Sequence, residues 1–257
     1  MDELLALFDA HRAAAAEGDG APLERDGPVT RIRYTVSALV LTPSDTGLRG
    51  GELDEVIIRQ RDAFAALGMP VEWKTYAYDQ PADLPERLVA AGYVAEEPET
   101  LLVGESAKLS GLAAEVQGVT IRETTSPDDF VAIGRLQSEV WEEDWSWIVD
   151  DLRGRADRLG PHGIRILVAE AGDRVVSAAW LVMRDGSPFA GLWGGSTLAQ
   201  YRGRGIYRAL VSRRAAIARA AGYPYLQVDA SEMSRPILER LGFRVLTTTT
   251  PYVWNPG

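Results

Sequence analysis

Six residues, Gln200-Tyr201-Arg202-Gly203-Arg204-Gly205, constrain this chain more than any others. They stand between an apolar run, Phe189 to Thr197, that reads as a buried strand, and an amphipathic segment, Ile206 to Ala221, that reads as a helix. A glycine-bearing loop at a strand-to-helix passage turns backbone N–H groups toward an anion, and the helix dipole adds to that attraction. Gly203 and Gly205 carry no Cβ, so a phosphate can come close to the main chain. Arg202, Arg204 and Arg208 could add charge-assisted hydrogen bonds to a polyanion. The stretch predicts a loop that holds a phosphate-bearing cofactor, with a glycine-capped surface turn as the plain alternative.

The spacing Gln-x-x-Gly-x-Gly is not the dinucleotide fingerprint, and no Gly-Lys-Ser/Thr follows to make a nucleotide phosphate loop. Downstream, Tyr225-Leu226-Gln227-Val228 reads as a short strand after the turn Gly222-Tyr223-Pro224. Ser234-Arg235-Pro236 opens a helix that stops at Leu241-Gly242-Phe243, where Gly242 can take the left-handed conformation. Two strands, Arg244 to Thr249 and Tyr252 to Asn255, are expected to finish the chain as a hairpin. This order of strand, loop, helix, strand, helix ending in Leu-Gly-Phe and terminal hairpin resembles the GNAT superfamily of acyl-CoA-dependent N-acetyltransferases. The resemblance covers about residues 119 to 257.

Upstream segments fit that order. Val119 to Thr124 alternates like a strand, and Ser126-Pro127-Asp128-Asp129 carries a cap, a first-turn proline and first-turn acids. Helical segments run to about Trp141 and from Ile148 to Arg158. Ile164 to Glu170 and Arg174 to Arg184 read as strands joined at Gly172-Asp173. The expected fold is α/β (α+β), a mostly antiparallel central sheet flanked by helices.

A chain of 257 residues exceeds one such domain, and two domains of about 100 to 150 residues are expected. An internal repeat identifies the second. Ala66-Leu67-Gly68-Met69-Pro70 echoes Ala220-Ala221-Gly222-Tyr223-Pro224, and Asp83 to Tyr93 echoes Met233 to Phe243. A helix over 52–67 after Gly50-Gly51 mirrors the helix after Gly205. Chance matching of glycine and proline punctuation is the alternative. The repeat predicts two similar units in tandem: a degenerate, truncated GNAT-like domain over 1–105, a linker over 106–118, and a cofactor-binding domain over 119–257. The first unit's loop, Thr46-Gly47-Leu48-Arg49-Gly50-Gly51, lacks the Gln-x-x-Gly-x-Gly pattern and is not expected to bind CoA. The resemblance extends to tandem arrangements in which one unit is active and the other degenerate, as in mycothiol synthases.

Composition narrows the function classes. No run of eighteen apolar residues is present, and the start Met1-Asp2-Glu3-Leu4 lacks the basic opening of a secretory signal, so a cytoplasmic location is expected. The absence of cysteine excludes disulfides, thiolate metal sites and cysteine nucleophiles. His11 and His162 are far apart in sequence, so no metal is expected. A net charge of −10 argues against nucleic acid and favours a small basic amine as partner, with the protein a monomer or homodimer.

The resemblance implies that an amine attacks the thioester of acetyl-CoA directly, with CoA as product. It places Thr197, Leu198, Ala199, Gln200, Arg202, Gly203, Arg204, Gly205, Ile206 and Tyr207 on the cofactor, with an oxyanion donor at about Ser196 to Leu198. Two familiar groups are missing. The Tyr expected four residues before the glycine of Leu-Gly-Phe is Leu238, and Phe189 to Thr197 holds no carboxylate for a base. Tyr207 and Tyr252 are conceivable proton donors, with packing or a CoA contact as the plainer alternative for each. Glu139, Glu142 and Asp144 are candidate bases, since Glu139 to Asp151 holds six carboxylates, three tryptophans and no Lys or Arg. Such a segment suits a cationic amine, while a solvated acidic face over buried tryptophans is the alternative. Asp229, near the end of its strand, is a further candidate.

Overall fold

The computed structural model describes residues 3–12, 21–112 and 115–257. In chain order it runs α1 (Glu3–Arg12), β1 (Leu23–Asp26), β2 (Val29–Arg33), β3 (Ala38–Leu41), α2 (Gly50–Ala65), β4 (Val71–Tyr76), α3 (Leu84–Ala90), β5 (Val94–Ala95) and β6 (Glu99–Glu105). It continues with α4 (Ser106–Leu109), β7 (Thr120–Thr124), α5 (Pro127–Trp141), α6 (Ile148–Gly163), β8 (Ile164–Ala171), β9 (Arg174–Val182) and β10 (Phe189–Thr197). The chain ends with α7 (Ile206–Ala220), β11 (Tyr225–Ala230), α8 (Arg235–Leu241) and β12 (Arg244–Trp254).

Packing divides the chain into two units that are not consecutive in sequence. The first takes Met1–Leu101, Asp229–Arg235 and Val245–Gly257, and the second takes Leu102–Val228 and Pro236–Arg244. In the first, β1, β2 and β3 form antiparallel pairs, and β3 pairs in parallel with β4 across the helix α2. Side chains along β4 alternate, so Val71, Trp73 and Thr75 are buried while Glu72, Lys74 and Tyr76 face the other way. Leu53, Ile57 and Phe64 of α2 pack with Val40 and Trp73 in this unit's core.

The second unit repeats the scheme. Strands β7, β8, β9 and β10 pair antiparallel in succession, and β10 pairs in parallel with β11 across the helix α7. Its core gathers Phe130, Ile133 and Leu152 from α5 and α6 with Leu167, Val168 and Ala179 from the strands, and with Ile206 and Leu210 from α7. Each such Ile or Leu, fully removed from water, contributes about 1.5–3 kcal/mol. Strands β4 and β11 match in length at the 154-residue offset of the sequence repeat.

Several expectations need correction. The terminal hairpin is one strand: β12 runs unbroken through Pro251 and pairs antiparallel with β4 from Thr249 to Trp254. Proline is tolerated where its missing N–H is not needed, and here its carbonyl accepts from Glu96 N–H at 2.9 Å. This pairing draws residues 245–257 into the first unit, which a sequential division at 106–118 does not anticipate. Nor is that segment an open linker. Ser106 to Leu109 is helical, with Leu109 buried and Ser106 Oγ donating to Tyr223 O at 2.7 Å, while residues 113–114 lie outside the described ones. Ser126 stands at the N-cap of α5 without a side-chain capping bond; Thr124 Oγ1 accepts its amide instead. Helix α6 breaks at Gly160, beside Pro161, close to its expected end.

Candidate functional site

The second unit's site begins with a defect in β10. Trp193 faces Trp180 on β9, but three residues later Ser196 faces Ala178, so β10 holds one extra residue and bulges at Gly194-Gly195. Only glycine suits Gly194, which sits at φ 61° with the Trp180 ring 2.0 Å from where a Cβ would stand. A Cβ on Gly195 would meet the Tyr207 ring at 2.9 Å. The bulge is held from two sides by buried polar side chains. Arg214 Nη1, on α7, donates to Trp180 O at 3.1 Å and Trp193 O at 3.3 Å, while Gln137 Nε2, on α5, donates to Gly194 O at 3.1 Å. Burial pulls the Arg214 guanidinium down to about 10, and its hydrogen-bond partners are carbonyls.

Beyond the bulge, the ladder sets the direction of each amide. Leu198 N–H goes to Val176 O at 3.0 Å, toward β9. Neighbouring amides alternate in an antiparallel ladder, so Thr197 N–H points away from β9. On that side β11 pairs with β10 at Phe189 to Gly191 alone, leaving Thr197 beyond the paired stretch. Its carbonyl, on the same edge, accepts from Arg202 Nε at 3.1 Å. Within Ser196 to Leu198, where an oxyanion donor is expected, the Thr197 amide is thus the one turned to the open edge; the Leu198 amide is taken up in the sheet, and its side chain is 1% exposed in the core.

A 3₁₀ turn, Ala199–Tyr201, leads from β10 into the loop, with Ala199 and Gln200 exposed. Gly203 and Gly205 adopt φ of 74° and 85°, the left-handed region that glycine enters without strain. The first intrahelical bond of α7 is Ala209 N–H to Gly205 O, so the amides of Ile206, Tyr207 and Arg208 precede it, and no side chain caps them. A Cβ on Gly203 would enter open space, which leaves the main chain accessible to a ligand. Ile206, 1% exposed, anchors the helix start in the core. Arg204 donates to Gln117 O at 3.1 Å and lies over the Tyr201 ring, while Arg202 and Arg208 are exposed. Burial raises the Tyr207 hydroxyl above the usual tyrosine range and keeps it protonated.

The candidate acid–base residues divide between the two units. Glu139 is exposed and ion-paired with Arg174 at 2.5 Å. Asp144 accepts the Ser146 amide in a local turn, which holds its carboxyl below the usual range. Glu142 ends α5 at φ 57°, exposed. Asp229 belongs to the first unit, where its Oδ2 pairs with Lys74 Nζ at 2.7 Å and its Oδ1 is buried without a partner. Tyr252 is also in the first unit, packed in that core opposite Trp73 on β4. Both owe their places to residues far back in sequence, Asp229 to Lys74 and Tyr252 to Trp73. Leu238 is fully buried.

The structure adds Gln137, Ser177 and Arg214, which sequence reasoning missed, and gives Trp141 of the acidic, aromatic segment a definite place. Trp141 is 42% exposed, yet its Nε1 donates to Gln137 Oε1 at 2.9 Å, the same oxygen that accepts from Ser196 Oγ at 2.6 Å. An exposed indole therefore stands beside the bulge, and Trp147 is likewise exposed rather than buried beneath an acidic face. The consecutive glycines inside a strand pattern were the one available sign of the bulge. Nothing local marks Gln137, Ser177 or Arg214, whose roles depend on partners in other elements.

Comparison with known proteins bears on the family and the fold. The model of the acetyltransferase (GNAT) family matches residues 125–243. No curated protein matches the chain. Among solved structures, a GCN5-related N-acetyltransferase from Kribbella flavida is similar over 96% of this chain and 96% of its own, at 18% identity and a TM-score of 0.71. A functionally unknown conserved protein from Staphylococcus epidermidis is similar over 92% and 95%, at 13% identity and a TM-score of 0.66. A tandem GNAT protein from the clavulanic acid biosynthesis pathway is similar over 100% and 96%, at 14% identity and a TM-score of 0.64. At such identities the likeness shows the fold.

Proposed function

We propose that this chain, a member of the GNAT superfamily of acyltransferases through its residues 125–243, transfers an acetyl group from acetyl-CoA to the primary amine of a small cationic acceptor. The observation that carries this reading is the entry to α7. There, two left-handed glycines, three uncapped amides and exposed Arg202 and Arg208 converge on one open turn. These groups fit a pyrophosphate, which backbone N–H groups and guanidinium groups bind together.

Acetyl-CoA supplies the activated acetyl thioester. The Thr197 amide, set on the open edge of β10, is the donor for negative charge developing on the carbonyl oxygen. Trp141 offers its face to a cationic acceptor, and Glu142 follows it directly. An alkylammonium must lose a proton before it attacks. With Glu139 paired to Arg174 and Asp144 closing its turn, Glu142 is the carboxylate we assign to that step.

Calorimetry with acetyl-CoA tests the reading. Wild type is expected to bind, and Gly203→Glu and Gly205→Glu, which add bulk and negative charge to the turn, are each expected to weaken binding by at least about tenfold. A folded wild type that does not bind acetyl-CoA overturns the proposal. Binding without CoA release in the presence of any amine would make the chain a non-catalytic acyl-CoA-binding module, while release with protein amines alone would make the acceptor a protein.

A further inference from the structure

The geometry points to Ser177 as a positioning residue that aims and polarises the Ser196–Thr197 peptide, so that its N–H meets the thioester carbonyl. This inference rests on the acetyl-transfer reading above.

Ser177 lies in β9 and is 0% exposed, between Val176 and Ala178, which are also fully buried. Its Oγ donates to Ser196 O at 2.6 Å and stands 2.8 Å from Thr197 Oγ1. A hydroxyl has one proton to give. The Ser196 carbonyl can only accept, so it takes the Ser177 proton, and Thr197 Oγ1 is then the donor to Ser177 Oγ. The chain of bonds runs in one direction, from Thr197 hydroxyl to Ser177 hydroxyl to Ser196 carbonyl.

That carbonyl and the Thr197 N–H are opposite ends of one planar trans peptide. A hydrogen bond into the carbonyl draws electron density through the amide and makes the N–H a stronger donor. It also fixes the plane, and with it the direction in which the N–H points. Strand pairing alone does not require the added bond, because the Ser196↔Ala178 register already gives the Ser196 carbonyl a partner on β9. A buried hydroxyl is costly without a partner and contributes nothing to an apolar core that alanine would not. On the other side of the peptide, Gln137 is 1% exposed and receives Ser196 Oγ at 2.6 Å while holding Gly194 O. The bulge lets Thr197 face the open edge, Gln137 braces the bulge, and Ser177 sharpens the donor.

The test uses the full chain with acetyl-CoA labelled with carbon-13 at its acetyl carbonyl. Isotope-edited difference infrared spectroscopy reads the thioester carbonyl stretch, and calorimetry reads affinity on the same samples. In wild type the stretch is expected below its value in free acetyl-CoA. Ser177→Ala is expected to lose about half of that displacement or more, with affinity within about threefold of wild type. Ser177→Cys, which keeps the volume but donates weakly, is expected to fall between them and carries the test where the alanine variant does not fold. A full displacement in the variants overturns the inference and leaves the acetyl-transfer reading intact. So does an undisplaced carbonyl in wild type that binds acetyl-CoA. A wild type that does not bind acetyl-CoA overturns both.

Discussion

At Gly194, a left-handed backbone and the Trp180 ring together leave no room for any side chain. Gly194→Ala is expected to lower stability by about 2–4 kcal/mol, combining overpacking with left-handed strain, and thermal unfolding reads it. Gly203 shares the positive φ but faces open space, so Gly203→Ala is expected to cost about 1 kcal/mol and to leave the fold intact. Glu142 reverses the logic. It is the one non-glycine residue at positive φ among the described residues, and Glu142→Gly is expected to stabilise the protein by a few tenths to about 1 kcal/mol in the same assay. Charge adds a pH dependence in the first unit. Hydrogen bonds from Arg59 and then Gln60 hold the Asp26 carboxyl down at about 2, from 3.8. A carboxyl depressed in the folded state lends stability that is complete above about pH 4 and is lost as pH falls toward 2. Asp26→Asn is expected to be less stable than wild type at pH 7 and to lose less between pH 4 and 2, as urea melts would show.

Helices α2 and α7 occupy matching places in the two units, and their entries explain why the proposed phosphate loop falls to α7 and not to α2. Arginines surround the entry to α7, and its first turn holds no acid. By contrast α2 opens with Glu52 in its first turn and Asp54 and Glu55 next. The Gly50 carbonyl and Asp54 are engaged by Arg87, at 3.2 and 2.7 Å. One acetyl-CoA per chain is therefore expected, and Gly50→Glu is expected to leave its affinity unchanged in calorimetry; a second equivalent bound would contradict this. Much of this scale was legible in the sequence. The Gln-x-x-Gly-x-Gly loop, the bounds of β10 and the start of α7 depend on local pattern and glycine chemistry, which a linear reading captures. The places of Asp229 and Tyr252 were not, because they depend on pairing across large sequence distances. The same holds for Ser177, an ordinary strand residue until the partner strand places a particular carbonyl beside it.

The two units interleave along the chain, and the last strand belongs to the first unit. A chain ending at residue 243 lacks β12 and so leaves β4 without its antiparallel partner. It is expected to lose the cooperative unfolding of the first unit and to red-shift the fluorescence of Trp73, which is 0% exposed in the full protein. Retained cooperativity would show that the first unit is complete without β12. The pairing also has a consequence for biosynthesis. The bond from Thr75 Oγ1 to Thr250 O spans 175 residues. At about 5–20 residues per second, roughly ten to thirty-five seconds of translation separate the two strands. Throughout that interval the nascent first unit presents an open edge at β4, available to a chaperone or to the same edge on a neighbouring nascent chain.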